Sequence, residues 1–143
     1  MKNILVPIDL SNVTGRVVEH ATTIANAFGA HLWLLHVAQP HPDFTGMVLA
    51  DQMQWKRIEV QPHHQPFVDI ALGLDQKGHA VTPLLLQGPV VESIHETAHS
   101  VAADMIVVGS HGHGALYDLL VGSVSEAVIR HAKIPVSVVP AIL

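Results

Sequence analysis

Short, nearly unbroken apolar runs alternate along this chain with longer stretches whose apolar residues recur every three or four positions. The runs are Ile4 to Ile8, His31 to Val37, Ala80 to Leu86, Met105 to Val108 and Val136 to Val139. Runs of this length that lack polar alternation predict strands buried on both faces. Between Asn12 and Phe28, the residues Val17, Val18, Ala21, Ile24, Ala25 and Phe28 keep helical spacing, and Gly29 supplies a stop. Phe67, Ile70, Ala71 and Leu74 predict a second helix, with Pro66 at a first helical position and Gly78 at its end. A third begins at Gly88-Pro89 and turns Val91, Ile94, Ala98, Val101 and Ala102 inward. A fourth follows Gly122-Ser123, with Val124, Ala127, Val128 and His131 in periodic positions. Strands that alternate with helices through short links predict right-handed crossovers, and hence an α/β fold on one open parallel sheet with helices on both faces.

Prolines refine this picture. Pro7 lacks an amide donor, so the first strand should end near it, and Pro83 inside the third strand predicts a sheet edge. Residues 39 to 65 carry Pro40, Pro42, Pro62 and Gly46, which leave room only for a helical turn or two within Met47 to Glu59. With 143 residues the chain reads as a single domain, 1–143, large enough to bury a core. A formal charge of -5 argues against nucleic acid or an anionic membrane as partner. There is no cysteine, hence no disulfide framework and no thiol nucleophile. The first apolar run is too short for a signal peptide, and no run approaches the roughly 20 residues of a membrane helix. A cytoplasmic location is the expectation.

Candidate chemistry concentrates between Met105 and Ser125. An apolar run stops at Gly109, a glycine-rich turn follows, and a helix starts after Gly122-Ser123. Strand, glycine turn and helix N-terminus together hold phosphates: glycine allows close backbone approach, and the helix's first amides supply positive potential. Ser123 and Ser125 add hydroxyl donors, and Ser123 is the expected N-cap. The pattern is neither a Walker A loop, which needs Gly-Lys-[Ser/Thr], nor Gly-x-Gly-x-x-Gly. Its spacing is Gly109-x2-Gly112-x9-Gly122-Ser123.

Twelve scattered histidines raise a metal question. His95-Glu96-Thr97-Ala98-His99 matches the zinc peptidase pattern His-Glu-x-x-His. No third ligand follows at a known offset, and the helix is a crossover packed on a sheet. The plainer reading is a polar flank shared with Glu92 and Glu96, so no metal ligand is assigned. No serine has a base oriented by an acid, so no catalytic residue is assigned either.

At Gly109-x2-Gly112-x9-Gly122-Ser123 the chain resembles the universal stress protein family, in its ATP-binding branch. The resemblance extends through strand one with Asp9, the segment Ala103 to Gly109, and the closing Arg130-His-Ala-Lys-Ile-Pro-Val. It implies strand order 3-2-1-4-5 in a Rossmann-like, adenine nucleotide alpha hydrolase-like fold. The order then reverses between strands one and four, where open sheets bind ligands. The implied ligand is ATP or another adenine nucleotide, with Mg2+. By the same resemblance Asp9 lies beside the adenosine, and Pro7 and Val37 line the adenine pocket. Gly109, Gly112 and Gly122 admit the phosphates, which the amides of Ser123, Val124 and Ser125 face. His111 and His113 flank Gly112; His113 stands where family members often carry arginine, so its charge depends on pH. Asp9 has a competing reading as a turn or capping acid, and Pro7 and Val37 as plain core. The resemblance further implies a homodimer through the fifth strand, Val136 to Val139, which suits an apolar edge. The expected function is an adenine-nucleotide-binding regulatory protein of the stress response, with slow hydrolysis at most and an unidentified protein partner. The alternatives are a dimeric interaction module without nucleotide and a zinc-dependent hydrolase using His95, Glu96 and His99.

Overall fold

The computed structural model describes residues 1–38, 62–110 and 122–141. The helical turn expected within Met47 to Glu59 lies outside them. In chain order the elements are β1 (Asn3–Pro7), α1 (Thr14–Phe28), β2 (His31–Ala38), a 3-10 turn (Pro62–His64), α2 (Gln65–Gln76), β3 (Val81–Gln87), α3 (Val90–Ser100), β4 (Met105–Gly109), α4 (Ser123–His131) and β5 (Val136–Val139). The strands form one sheet of order β3-β2-β1-β4-β5. Every pairing is parallel. This is the order that the resemblance implies.

Alternation along each strand divides the core in two. Ile4, Val6, Leu32, Leu34 and Val107 face α1 and α2, where they pack with Val17, Ala21, Phe67 and Ala71. Leu5, Leu35, Leu84, Ile106 and Val108 face the opposite way and pack with Ile94, Ala98 and Val128 of α3 and α4. Sequestering both faces explains why the strands read as continuous apolar runs. Pro83 sits in β3 opposite Leu34. The strand is an edge, where a missing amide donor has no ladder bond to leave unmade. Gly29 closes α1 in the left-handed region (φ 65°), its N–H donating to the Ala25 carbonyl. The Asp104 carboxylate accepts the N–H groups of Lys2 and Asn3 at 2.7 and 2.9 Å, which tie the start of β1 to β4. Those bonds hold its carboxyl below the usual carboxylate range.

Several inward positions expected from helical spacing are corrected. α3 ends at Ser100. Ala102 then takes a left-handed backbone (φ 52°) and is exposed, and the next residue, Ala103, is the buried one. Phe28, in the last turn of α1, is 58% exposed, and Val124, in the first turn of α4, is 43% exposed. His131 is exposed as well. Only the central turns of these helices face the sheet squarely, so periodicity overreaches at their ends. Ser123 is not the N-cap. Gly122 occupies that position with extended backbone, its carbonyl accepts the Glu126 N–H, and Ser123 is the first helical residue.

Candidate functional site

The chain diverges where strand order reverses, because β1 passes to α1 on one face and β4 leads toward α4 on the other. This divergence opens a cleft of about 120 Å³ at the C-terminal ends of β1 and β4. Its wall brings together Pro7, Asp9, Val37, Gly109 and Ser125 from four separate segments. Val13, Thr14 and Val17 at the α1 start, and Val90 and Ile94 of α3, also line it, with Ile8, Leu35 and Val108 from the strands. Gly122, Ser123 and Val124 do not line the cleft; they form the start of α4 beside Ser125. His111, Gly112 and His113 lie outside the described residues.

On the β1 side, the Asp9 carboxylate accepts the Ser11 N–H at 3.0 Å. This is the local turn bond expected of Asp, made by a residue that also lines the cleft. Leu10 follows with φ 65°, an uncommon conformation for a side chain of that size. Such strain is often held near functional sites. The Ile8 N–H donates to Leu35 at 2.8 Å, and the Ile8 carbonyl contacts His36 Nδ1 at 2.9 Å, so the end of β1 is fixed against β2. His36 packs on Phe67, and its ring meets the buried His64 at 6.3 Å. Burial, with His63 and His36 nearby, holds the His64 pKa down.

On the β4 side the reason for Gly109 is specific. A Cβ there would stand 2.7 Å from Val13 Cγ1 and 3.3 Å from Val17 Cγ2. The glycine lets the start of α1 close onto the end of β4. The Ser125 hydroxyl is buried and donates to the Gly109 carbonyl, so it fastens α4 to β4 instead of facing outward. The Glu126 N–H to Gly122 carbonyl bond is the first of α4. The N–H groups of Ser123, Val124 and Ser125 therefore have no intrahelical acceptor, and the positive end of the helix stands next to the cleft. Glu126 lies in this first turn but pairs with Arg130 at 2.6 Å.

Spacing alone missed three parts of this site. The Thr14 hydroxyl lies buried at the cleft wall without a hydrogen-bond partner. Val90 enters through the Gly88-Pro89 turn, and that dipeptide is its only signal in the sequence. Ser110, inside the first gap of the glycine motif, is 3% exposed and hydrogen-bonded on three sides.

The zinc pattern sits elsewhere. His95, Glu96 and His99 border a separate groove of about 1020 Å³ with His131 and Lys133. His95 is half-buried and meets the His131 ring edge-on at 6.5 Å, so it is not on an open flank. Among the described residues, no three His, Cys, Asp or Glu side chains are placed to hold one metal ion. Likewise no helix among them is long and apolar enough to cross a membrane.

A five-stranded 3-2-1-4-5 sheet with a cleft at its switch point defines a doubly wound α/β protein with its crevice where such sheets take ligands. The particular family follows from comparison. The model of the universal stress protein family matches residues 1–140, and the chain belongs to that family. A universal stress protein of Thermus aquaticus, encoded in the 3' region of a QAH/OAS sulfhydrylase gene, is 33% identical over 138 residues, covering 96% of this chain and 98% of that one. The solved structure of MJ0577 of Methanocaldococcus jannaschii superposes with a TM-score of 0.78 at 26% identity, covering 99% and 97% of the two chains. A universal stress protein of Archaeoglobus fulgidus, solved in complex with dAMP, shares the fold with a TM-score of 0.68 at 19% identity, covering 96% and 97%.

Proposed function

We propose that this protein binds an adenine nucleotide, ATP or a close relative with Mg2+, and acts as a nucleotide-responsive regulatory protein of the stress response. One observation carries the reading: the apolar switch-point cleft opens beside three helix N-terminal amides that lack intrahelical acceptors. An apolar cleft suits a base, and free amides suit phosphate. The dAMP complex of the Archaeoglobus relative supports the same ligand class. At about 120 Å³ the cleft takes only part of a nucleotide, so the phosphates extend over the start of α4. The protein is regulatory and not catalytic in this reading. Both arginines among the described residues are engaged, Arg16 with the Pro140 carbonyl and Arg130 with Glu126, so neither is held ready for transition-state charge.

Titration calorimetry with Mg·ATP tests this. Wild type should bind, and Gly122→Val, which places a branched side chain at the N-cap of α4 where the phosphates are proposed to lie, should not. Equal heats from both proteins would refute the assignment. A second copy is proposed to pair along β5, the sheet's outer strand, whose Val136 and Val138 are only half-buried. Sedimentation at micromolar concentration should give a dimer; a monomer there would remove that part. If Mg·ATP is ignored but the dimer persists, the nucleotide-free interaction module becomes the better reading.

A further inference from the structure

Ser110 is where the chain leaves β4, and Gly122 is where it returns to begin α4. The two points are joined directly, because the Gly122 N–H donates to the Ser110 carbonyl. Ser110 is also bonded to the outer strand. Its N–H donates to the Val139 carbonyl at 2.8 Å, and its hydroxyl accepts the Ala141 N–H at 3.1 Å. At 3% exposure, water competes little for these bonds. One buried residue thus uses its amide, carbonyl and hydroxyl to connect the end of β4 and the start of α4 with the C-terminal end of β5. Between its two partners there, the Pro140 carbonyl accepts from Arg16, which holds that strand end to α1. Among the described residues β5 has no strand on its outer side, so these bonds add to the packing of Val139 and Ala141 in holding its end.

We propose that Ser110 is a positioning residue that couples nucleotide occupancy of the switch-point cleft and the α4 start to the order of the C-terminal end of β5. The inference rests on the nucleotide reading given above. A ligand that settles the helix start acts on Gly122, and through its N–H on the Ser110 carbonyl. The same residue's hydroxyl sets the Ala141 amide. Coupling between two sites is reciprocal: whatever orders Val139 to Ala141 tightens nucleotide binding by the same factor. β5 is also the edge at which a second copy is proposed to pair, so this residue gives bound nucleotide a physical route to the contact surface.

Hydrogen exchange of the β5 C-terminal amides, with and without Mg·ATP, tests the coupling in wild type and Ser110→Ala. In wild type, Mg·ATP should slow exchange at Ala141 by about tenfold, and Ser110→Ala should abolish that response. The variant should also bind Mg·ATP about three- to tenfold more weakly, the range for one buried hydrogen bond. A purely structural serine would lower protection equally with and without nucleotide. Ala141→Pro removes the donor from outside the buried site. It should reproduce the affinity loss, and the double variant should be no weaker than either single one. Wild type that binds Mg·ATP with no change at Ala141 overturns the coupling alone, as do additive losses in the double variant. Wild type that does not bind Mg·ATP overturns the nucleotide reading and the coupling with it.

Discussion

Gly109→Ala isolates the contact that shapes the cleft. The added methyl would stand 2.7 Å from Val13 Cγ1, 3.3 Å from Val17 Cγ2 and 3.4 Å from Val13 Cγ2. The first of these is roughly 1 Å inside the 3.5–4.0 Å at which carbon atoms attract. Neither valine yields easily. Both are buried, at 5% and 2% exposure, and Val17 is a β-branched residue inside a helix with one strongly preferred rotamer. Relief therefore requires the start of α1 to move off β4. Overpacking of this kind costs about 1–3 kcal/mol. The lower chain entropy of alanine in the unfolded state offsets about 0.4–1 kcal/mol of it. The net expectation is a loss of about 1–2 kcal/mol, or a fall in melting temperature of about 3–6 °C for a domain of this size. Urea and thermal unfolding measure it. Val13→Ala removes the closest methyl and leaves only the 3.3 Å contact with Val17, so in that background Gly109→Ala should cost less than about 1 kcal/mol. Since Val13 and Thr14 line the cleft, the single variant should also bind nucleotide more weakly. A neutral or stabilising Gly109→Ala, or an undiminished cost in the Val13→Ala background, would refute the packing argument.

Three further outcomes rest on other contacts. Thr14→Val removes a buried hydroxyl that has no partner; unfolding of the ligand-free protein should show a gain of about 1 kcal/mol, and a loss would mean the hydroxyl is satisfied. Burial lowers the pKa values of His64 and His31 from 6.5. Below pH 6.5 the unfolded chain then binds protons that the folded chain resists. Stability should be full above that pH and decline as pH falls through 6.5, seen as a lower urea midpoint near pH 5.5 than near pH 7.5. His64→Gln should flatten part of that slope, and a slope unchanged by it would exclude His64 as a source.

Much of this architecture is legible in the chain because burial on both faces writes itself as uninterrupted apolar runs. Val136 to Val139 coincides with β5, and the edge position of Pro83 follows from its missing amide. Asp9 and Gly109 meet at one cleft because both end strands that neighbour each other in the sheet. What stays hidden is set by partners distant in sequence. Gly109 looks like a phosphate glycine, and only the approach of Val13 and Val17 shows its packing role. Ser110 and Thr14 are ordinary hydroxyl residues until burial and the β5 end give them meaning. At helix ends, Ala102, Val124 and Phe28 continue the periodic pattern past the point where the sheet is there to receive them. Ser123 has cap chemistry, yet the preceding glycine takes the cap because its carbonyl is the one aligned with Glu126.

The central claim is the nucleotide. Freshly purified protein, denatured and passed over an anion-exchange column, should release an adenine nucleotide in close to stoichiometric amount, and Gly122→Val should release none. A wild-type protein that releases nothing, and remains empty after incubation with Mg·ATP, would contradict the account.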